Sequence, residues 1–555
     1  MKILIIAWYY APRIGGVETV ARMLAKGAKK KNEVVVLTSS EKDKIEYIDG
    51  IKVIRTHYLL PRDGSNDFTE YVKNLIEKEN IELVHCHNIS YPFNPEKSIE
   101  IIKVCNQMGV PVIEHAHNAQ LKQPGRTRKI IHSDIDRIIC VSGFVEKNLI
   151  KRGVSKNKLE ILNNPINTKL FDISRIEKEN IKKLKKKISP EGYPIIFFPG
   201  RVIRVSKMEI GEQKQFKIVV RALKILKDRG VKFKLAIPCS RGQPGVDRGK
   251  ISRAQEITNK FLELKNIRGE TFIFKESLGT KNMPLAYAAS DIVCMPSLNE
   301  TFGMVFAEAQ SMQRPIVAAK SGAAPFVISK KAGVLIKPGD YKELAIEIEK
   351  LIKNVRLRKK LGKEGRKRIL KLFSEKKIVE KLLKIYSELC KSRTYFVRHP
   401  ETVKNKNNKI TGWEITKYSG EGKKQFKKIL NFFRNHHEII YSSDLPRCLE
   451  LANAISRQNK SRLITSELLR ERNFRETKPY NSFEDENKFK RRIMKFTKKY
   501  NLGNSIIISH SGVVFEIIGD LLDKKDKIRY HSSPRNTLFQ IETNKKQKIL
   551  EKREV

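Results

Sequence analysis

From Lys2 to about Ile166 the chain alternates short Val- and Ile-rich runs with stretches of helical periodicity, and the alternation restarts twice further on. The first series reads KILIIAW, EVVVLTS, IKVIRTH, IELVHCH, VPVIEHAH and RIICVS, separated by segments such as VETVARMLAKGAKK and DFTEYVKNLIEKEN. Strands this apolar are buried on both faces, and a parallel sheet covered by helices is the arrangement that buries them. A Lys-rich stretch, Arg175 to Lys187, interrupts the pattern and reads as a solvated connection. The second series then runs YPIIFFPGR, KFKLAIP, TFIFKE, DIVCMPS, PIVAAKS and GVLIKPG, closed by a Lys/Glu-rich helical region from Tyr341 to Cys390. The third begins at RTYFVRHP and continues through HEIIYSSD, SRLITSE and NSIIISHSG. The expectation is α/β throughout: two doubly wound domains, residues 1–170 and 190–390, with a cleft between them, then a third α/β domain over 393–555.

A chain of 555 residues is in any case too long for one hydrophobic core. No apolar run approaches the ~20 residues that span a bilayer. The opening MKILIIAWYY has no small-residue cleavage site and reads as a first buried strand rather than a leader. Seven cysteines without a CxxC pair indicate neither a zinc site nor a disulfide framework, which fits a reducing cytoplasm. The net charge of +51 raises nucleic acid or an anionic membrane as partner. The lysines are dispersed and no aromatic-interleaved basic motif is present, so nucleic acid is not expected. Peripheral contact with the anionic inner face of a membrane, or a lysine-rich coding bias, accounts for the charge better.

The first two domains carry a set of residues suited to a nucleotide diphosphate. Gly15 and Gly16 follow the first strand and precede a helix, where backbone N–H groups can approach a phosphate. Arg201 follows the strand IIFFPG at the end where open α/β sheets bind ligands, and Lys214 lies near the next helix. Cations are needed there because a departing nucleotide diphosphate accumulates negative charge. In SLNETFGMVFAEAQSMQRPIVAAKSG, Glu300 lies in the loop after a strand, Gly303 opens a helix, and Glu308 is inside it. Glu300 would stand at the sugar end of a cleft, and Glu308 could accept hydrogen bonds from ribose hydroxyls. The helix start at Thr301 to Met304 points its positive end at the diphosphate.

These pieces, GGVE (Gly15 to Glu18), NNPIN (Asn163 to Asn167), PGR, Lys214 and ETFGMVFAEA, resemble glycosyltransferase family 4 over about 390 residues. The resemblance implies a retaining GT-B enzyme built from two Rossmann-like domains, with the acceptor on the N-terminal side and a nucleotide-diphosphate sugar as donor. It implies that Glu300 contacts the donor sugar, Glu308 the ribose, Arg201 and Lys214 the diphosphate, and that His117 of VIEHAHN lies near the reacting sugar. No cofactor and no catalytic metal is expected, and this half has no Asp-x-Asp motif. Three departures stand out. RVIRVSKMEIGEQKQF is long between the Arg and the Lys, LAIPCSRGQPG replaces a Gly-rich loop against the base, and Phe326 stands where a Glu is common.

In the third domain FVRHPET, SSDLPRCLELA, ELLRER and IISHSG each place a His, Arg or Glu at or just past the end of a strand-like run. Phosphoryl transfer needs a nucleophile, cations around the phosphoryl oxygens and an acid for the leaving oxygen, and this set supplies all three without a metal. It resembles the histidine phosphatase superfamily, which includes the phosphoglycerate mutases. The resemblance implies His399 as the phosphorylated nucleophile, Arg398, Arg447 and His510 as the phosphate cradle, and Glu471 as proton donor. Asn405 and ITGWE (Ile410 to Glu414) fit the substrate-side loop. Pro400 stands where Gly is usual, removing a backbone donor. The short interval from Glu471 to His510 favours phosphatase over mutase. The combined expectation is a bifunctional hexosyltransferase and phosphatase acting on a phosphorylated small-molecule or lipid acceptor. The alternatives are a lipid or polysaccharide acceptor with a phosphatase of unrelated substrate, or a degenerate domain that binds phosphate for regulation.

Overall fold

Five consecutive residues, Ile3 to Ala7, are completely buried, as a strand covered on both faces must be. The computed structural model describes the chain except residues 14, 61–66, 89–94, 109, 119–134, 201, 205–208, 211, 239–247, 275–277, 280, 391, 408–412, 434–438, 460, 473–483, 501, 503–504, 522–536, 545–546 and 555. The chain divides into two compact units, Met1–Tyr386 and Ser387–Val555.

The first unit has two lobes. In the N-terminal lobe, β1 (Lys2–Ala7) lies at the centre of an eight-stranded sheet, between β2 (Glu33–Ser39) and β5 (Leu83–His87). Outward from β2 come β4 (Ile51–Thr56) and β3 (Lys44–Ile48); outward from β5 come β6 (Val112–Ala116), β7 (Arg137–Cys140) and β8 (Leu159–Ile161). All neighbours are parallel except the β3–β4 hairpin, turned by Asp49 and Gly50 at φ 53° and 70°, the left-handed pair that a tight hairpin turn requires. The second lobe has a short antiparallel pair, β10 (Ile203–Arg204) with β11 (Glu209–Ile210), and a six-stranded parallel sheet. The sheet runs β13 (Thr271–Ile273), β12 (Lys234–Ile237), β9 (Ile195–Phe197), β14 (Ile292–Met295), β15 (Ile316–Ala319) and β16 (Val334–Ile336). One hydrophobic core runs through both lobes.

Two segments differ from the sequence expectation. The Lys-rich connection is largely a helix, Lys178–Ile188, that packs against the helix Met283–Ala289 of the second lobe, and Lys185 pairs with Asp291 at 3.1 Å. Its lysines are the solvent face of an amphipathic helix, and Ile188 is buried. The last closing helix, Glu375–Leu389, returns to the first lobe. Val379 fills the space that a side chain on Gly27 would take, and Lys381 donates to the Ile161 carbonyl at 2.6 Å. Tyr386 reaches His85 on β5, oxygen to Nδ1 at 2.6 Å.

The second unit is built on one sheet in the order β19 (Leu463–Thr465), β18 (Ile439–Ser442), β20 (Ser505–Ser509), β17 (Ser392–Arg398), β21 (Thr537–Asn544) and β22 (Gln547–Glu554). The first four strands are mutually parallel, so their carboxyl ends share one edge, and β21–β22 is an antiparallel hairpin added beside β17. That shared edge collects His399, Ser443 and His510, each just past a strand end.

Candidate functional site

In the first unit, Glu300 lies in the loop between β14 and the helix Met304–Ser311, whose N-cap Gly303 adopts φ 83°. The loop is held from two sides. The Asn299 amide donates to Ser321 Oγ at 3.0 Å and the Ala323 amide to the Glu300 carbonyl at 2.8 Å. Gly322, at φ 58°, brings its backbone so close that a Cβ there would lie 2.4 Å from the Glu300 carbonyl oxygen. No other residue fits that position. From the other side, the Leu298 amide donates to the Gln213 carbonyl at 2.9 Å, which carries the neighbouring Lys214 to the site. Lys214 Nζ forms an ion pair with Glu300 Oε1. Two of the expected residues are therefore in contact, each neutralising the other. Ser142, at the N-terminus of the helix Gly143–Ile150 in the first lobe, donates its hydroxyl to the Thr301 carbonyl and joins the lobes beside Glu300.

Glu308 lies one turn into the helix, with Oε2 accepting from the Tyr287 hydroxyl at 3.0 Å. Burial pushes its carboxyl up to about 7, against the pull of the tyrosine hydrogen bond. Tyr287 is fully buried and was not singled out from sequence; only its place in the helix Met283–Ala289 ahead of β14 hinted at it. Gly15 is the N-cap of the helix Gly16–Ala28, and a Cβ on Gly16 would meet nothing within 4 Å. The Glu18 carboxylate lies against Gly15, where a Cβ would stand 2.1 Å from its Oε2, so a carboxylate already sits at this helix start. Arg201 and most of LAIPCSRGQPG lie outside the described residues. Phe326 is 40% exposed and packs edge-on against Phe373, centroids 6.0 Å apart.

His117 follows β6 and is buried, with Nε2 at 3.0 Å from His87 Nδ1. Desolvation pulls its pKa down to about 3, so the ring is neutral at physiological pH. It is one of four stacked histidines, with His85, His87 and His115.

In the second unit His399 is buried and its Nδ1 lies 2.8 Å from the Pro400 carbonyl. A carbonyl only accepts, so Nδ1 carries the proton and Nε2 keeps its lone pair. Arg447 organises the rest: Nε donates to His399 Nε2 at 3.2 Å, Nη2 lies 3.2 Å from His510 Nδ1, and Nη1 donates to the Glu414 carbonyl at 3.1 Å. Tyr418 fixes the Arg447 backbone through its carbonyl at 2.5 Å. His510 Nε2 is 3.1 Å from Ser443 Oγ. Desolvation, then the Arg447 and Arg398 charges, hold His399 well below the ordinary imidazole range; burial and Arg447 do the same for His510. Arg398 ends β17, half-buried.

Glu471 is raised by desolvation, against the Arg472 amide that donates to its Oε1 at 3.1 Å and the nearby arginines. Trp413 Nε1 donates to the Glu471 carbonyl at 2.5 Å, and the Arg470 guanidinium lies 5.0 Å over the Trp413 ring while bonding Asp444 at 2.8 and 3.1 Å. Arg492 ties the loop down through the Leu468 and Arg470 carbonyls at 2.8 and 2.9 Å. Trp413 and Glu414 belong to the expected ITGWE loop; residues 408–412 lie outside the described ones. Asn405 serves a different end, because its side chain closes a capping box with Thr402. The expected residues His399, Arg447 and His510 thus form one buried hydrogen-bonded cluster, with the Glu471 carboxyl near enough to act on the Arg447 charge. Arg492, Tyr418 and Ser443 complete it and were missed, since an Arg inside a basic helix and a Ser after a strand carry no distinguishing pattern.

Family models match both units. Residues 14–170 match Glycosyltransferase Family 4, residues 179–368 match Glycosyl transferases group 1, and residues 394–506 match the histidine phosphatase superfamily, branch 1. An uncharacterized glycosyltransferase of Methanocaldococcus jannaschii, MJ1178, is 28% identical over 402 residues, covering 70% of this chain and 99% of the relative. A D-inositol 3-phosphate glycosyltransferase of Corynebacterium jeikeium is 30% identical over 196 residues, 35% of this chain and 43% of the relative. Among solved structures, a glycosyltransferase from Rickettsia africae superposes with TM-score 0.56 at 20% identity, over 70% of this chain and 98% of that one. Anabaena Alr3699/HepE in complex with UDP and glucose does so with TM-score 0.55 at 18% identity, over 70% and 99%. Two lobes of parallel sheet with these neighbours are the GT-B architecture.

Proposed function

For a glycosyltransferase of GT-B architecture that carries a histidine phosphatase domain, we propose a bifunctional enzyme. It transfers a sugar from a nucleotide diphosphate with retention of configuration and hydrolyses a phosphomonoester through a phosphohistidine. The observation that carries this reading is that both units bring the candidate side chains into contact. Lys214 is paired with Glu300 and Tyr287 with Glu308 in one, and Arg447 joins His399 and His510 near Glu471 in the other.

In the transferase, the bond from the anomeric carbon to the diphosphate oxygen breaks and a bond to the acceptor oxygen forms, the acceptor proton passing to the departing diphosphate. Lys214 moves from Glu300 to the diphosphate, with the helix start at Met304 behind it, and so stabilises the leaving group. Glu300, released, accepts hydrogen bonds from the sugar. Glu308 accepts from the ribose hydroxyls, which favour its ionised form.

In the phosphatase, His399 Nε2 attacks phosphorus while Nδ1 keeps its proton, donated to the Pro400 carbonyl. Glu471, whose pKa burial raises, gives a proton to the departing alkoxide. Its carboxylate then takes a proton from water, which attacks the phosphohistidine and releases phosphate. Pro400 supplies the carbonyl that sets the tautomer, so the replacement of Gly leaves this step intact. A phosphorylated acceptor would join the two activities, since phosphate release makes the coupled sequence irreversible.

The test is a screen of nucleotide sugars against phosphorylated and unphosphorylated acceptors, following nucleotide and phosphate release together. The proposal expects nucleotide release followed by phosphate release from the glycosylated phosphate. Phosphate release only from unrelated phosphomonoesters would separate the two activities. A chain that hydrolyses none and traps no phosphohistidine would reduce the second unit to a phosphate-binding regulator.

A further inference from the structure

Three of the four stacked histidines in the first lobe have no part in the proposed transfer. His85 and His87 are two apart on β5, and His115 and His117 are two apart at the end of β6, so each pair faces one side of the sheet. The register sets His87 directly against His115. The rings therefore gather: centroids stand 4.5 Å apart for His85 and His87, 4.8 Å for His87 and His115, and 5.3 Å for His85 and His115. All are essentially without solvent contact.

Their hydrogen bonds do not close. His85 Nδ1 meets the Tyr386 hydroxyl at 2.6 Å, His85 Nε2 meets His115 Nδ1 at 3.2 Å, and His87 Nδ1 meets His117 Nε2 at 3.0 Å. His87 Nε2 and His115 Nε2 are buried with no partner among the described residues. Buried polar groups without partners are rare and call for an explanation. A set of core histidines that satisfied one another would leave none.

We propose that His85, His87 and His115 bind a divalent transition-metal ion of the zinc class. One nitrogen from each lies within 4.8 Å of the others. Around a tetrahedral zinc, with Zn–N of about 2.0–2.1 Å, ligand nitrogens stand about 3.3 Å apart, so modest ring rotation closes the set. The ligating form of imidazole is the neutral one, which burial already enforces. An all-nitrogen donor set selects zinc, cobalt, nickel or copper over magnesium and calcium, which take oxygen. Cys86 points to the opposite face of β5 and contributes no thiolate. Tyr386 supplies the outer-shell hydrogen bond that orients a ligating histidine, on the His85 nitrogen turned away from the ion. Three protein ligands leave a fourth position for water. His117 is outside the set but bonded to one of its members, so the ion would also fix His87 against the proposed catalytic histidine.

The full chain, stripped with chelator and dialysed, is titrated with Co²⁺ and then Zn²⁺. One Co²⁺ per chain with intense visible bands of tetrahedral coordination is expected, displaced by Zn²⁺. His87→Gln and His115→Gln should each weaken binding at least tenfold, while His57→Ala, an exposed histidine paired with Asp43, should not. X-ray absorption on the wild-type zinc form should show about three imidazole nitrogens at 2.0–2.1 Å and no sulfur. Absence of stoichiometric binding, wild-type affinity in both glutamine variants, or sulfur in the first shell would overturn the proposal. Should either glutamine variant fail to fold, the wild-type absorption spectrum decides alone.

Discussion

Replacing Glu308 with Gln should stabilise the protein in a pH-dependent way while damaging donor binding. Burial raises this carboxyl from an ordinary 4.5 to about 7. A carboxyl raised on folding contributes stability that is present below the unfolded pKa and lost as pH rises through the folded one. At about 1.36 kcal/mol per pH unit, the wild type loses up to ~3.4 kcal/mol by pH 8.5 but less than ~1 kcal/mol at pH 5. Gln does not ionise, so the loss disappears, and the variant gains on the wild type by up to ~2.5 kcal/mol between those two pH values. The fixed effect of exchanging OH for NH₂ drops out of the trend. For a unit of 386 residues, an unfolding entropy of about 2.1 cal/mol/K per residue makes 1 kcal/mol worth about 1.2 °C. The difference in transition temperature should therefore grow by about 3 °C from pH 5 to 8.5. Scanning calorimetry of the full chain reads it, because the transition of the first unit can be followed by its shift with added nucleotide. In the same protein, nucleotide-sugar or nucleotide affinity should fall at least tenfold through loss of a charged acceptor. A temperature difference that is flat or shrinks with pH would refute the burial argument. Undiminished nucleotide binding would refute the ribose assignment.

His399→Ala should abolish phosphomonoester hydrolysis and leave glycosyl transfer within error, with acid-labile label mapping to His399 only in the wild type. Glu471→Gln should slow poor leaving groups far more than activated aryl phosphates, and hydrolysis should fall as pH rises through the raised pKa of this group. Because His85, His87, His115 and His117 are held neutral while unfolded histidines protonate near 6.5, metal-free protein should lose stability as pH falls below about 6.5. The slope is as much as ~5 kcal/mol per pH unit once all four unfolded imidazoles are charged, measurable by urea titration. Sedimentation with vesicles should show binding to anionic but not neutral lipid, weakening with salt as the Debye length shortens below ~8 Å; equal binding to both would exclude an electrostatic surface.

The legible parts of this fold are those in which one strand declares itself by composition. KILIIAW, IIFFPG and NSIIISHSG are too uniformly apolar to be anything but double-covered strands. β3, β21 and β22 were passed over because KIEYI, TLFQIETN and QKILEKRE mix charge with apolar residues, as edge strands and hairpins do. The sites divide in the same way. Glu300, Glu308, His399 and Arg447 stand in motifs at strand ends, where position alone suggests chemistry. Tyr287 on Glu308, Ser142 on Thr301 and Arg492 on the Glu471 loop are contacts between elements distant in sequence. HCH and HAH, thirty residues apart, become a cluster only when β5 and β6 pair in the register that sets His87 on His115.

Both sites hold their charge in a form that an anionic substrate completes. Around His399, the Arg447 and Arg398 charges add to burial in opposing protonation of His399 and His510. The carboxyl that could offset those cations is itself raised by burial. A phosphate dianion supplies the missing negative charge, so on entering it is drawn by the arginines and relieves the field that disfavours a proton on His510. That imidazole can then donate to a phosphoryl oxygen instead of merely facing one. When Glu471 later gives up its proton, the arginines that lower its pKa stabilise the carboxylate that must activate water. In the transferase unit the proposed order is reversed: Lys214 is already paired with Glu300, and a diphosphate would have to compete for the lysine before the carboxylate is released toward the sugar. A donor lacking its diphosphate would leave that pair closed, so on the proposed mechanism selection for the nucleotide diphosphate and exposure of Glu300 would be one event.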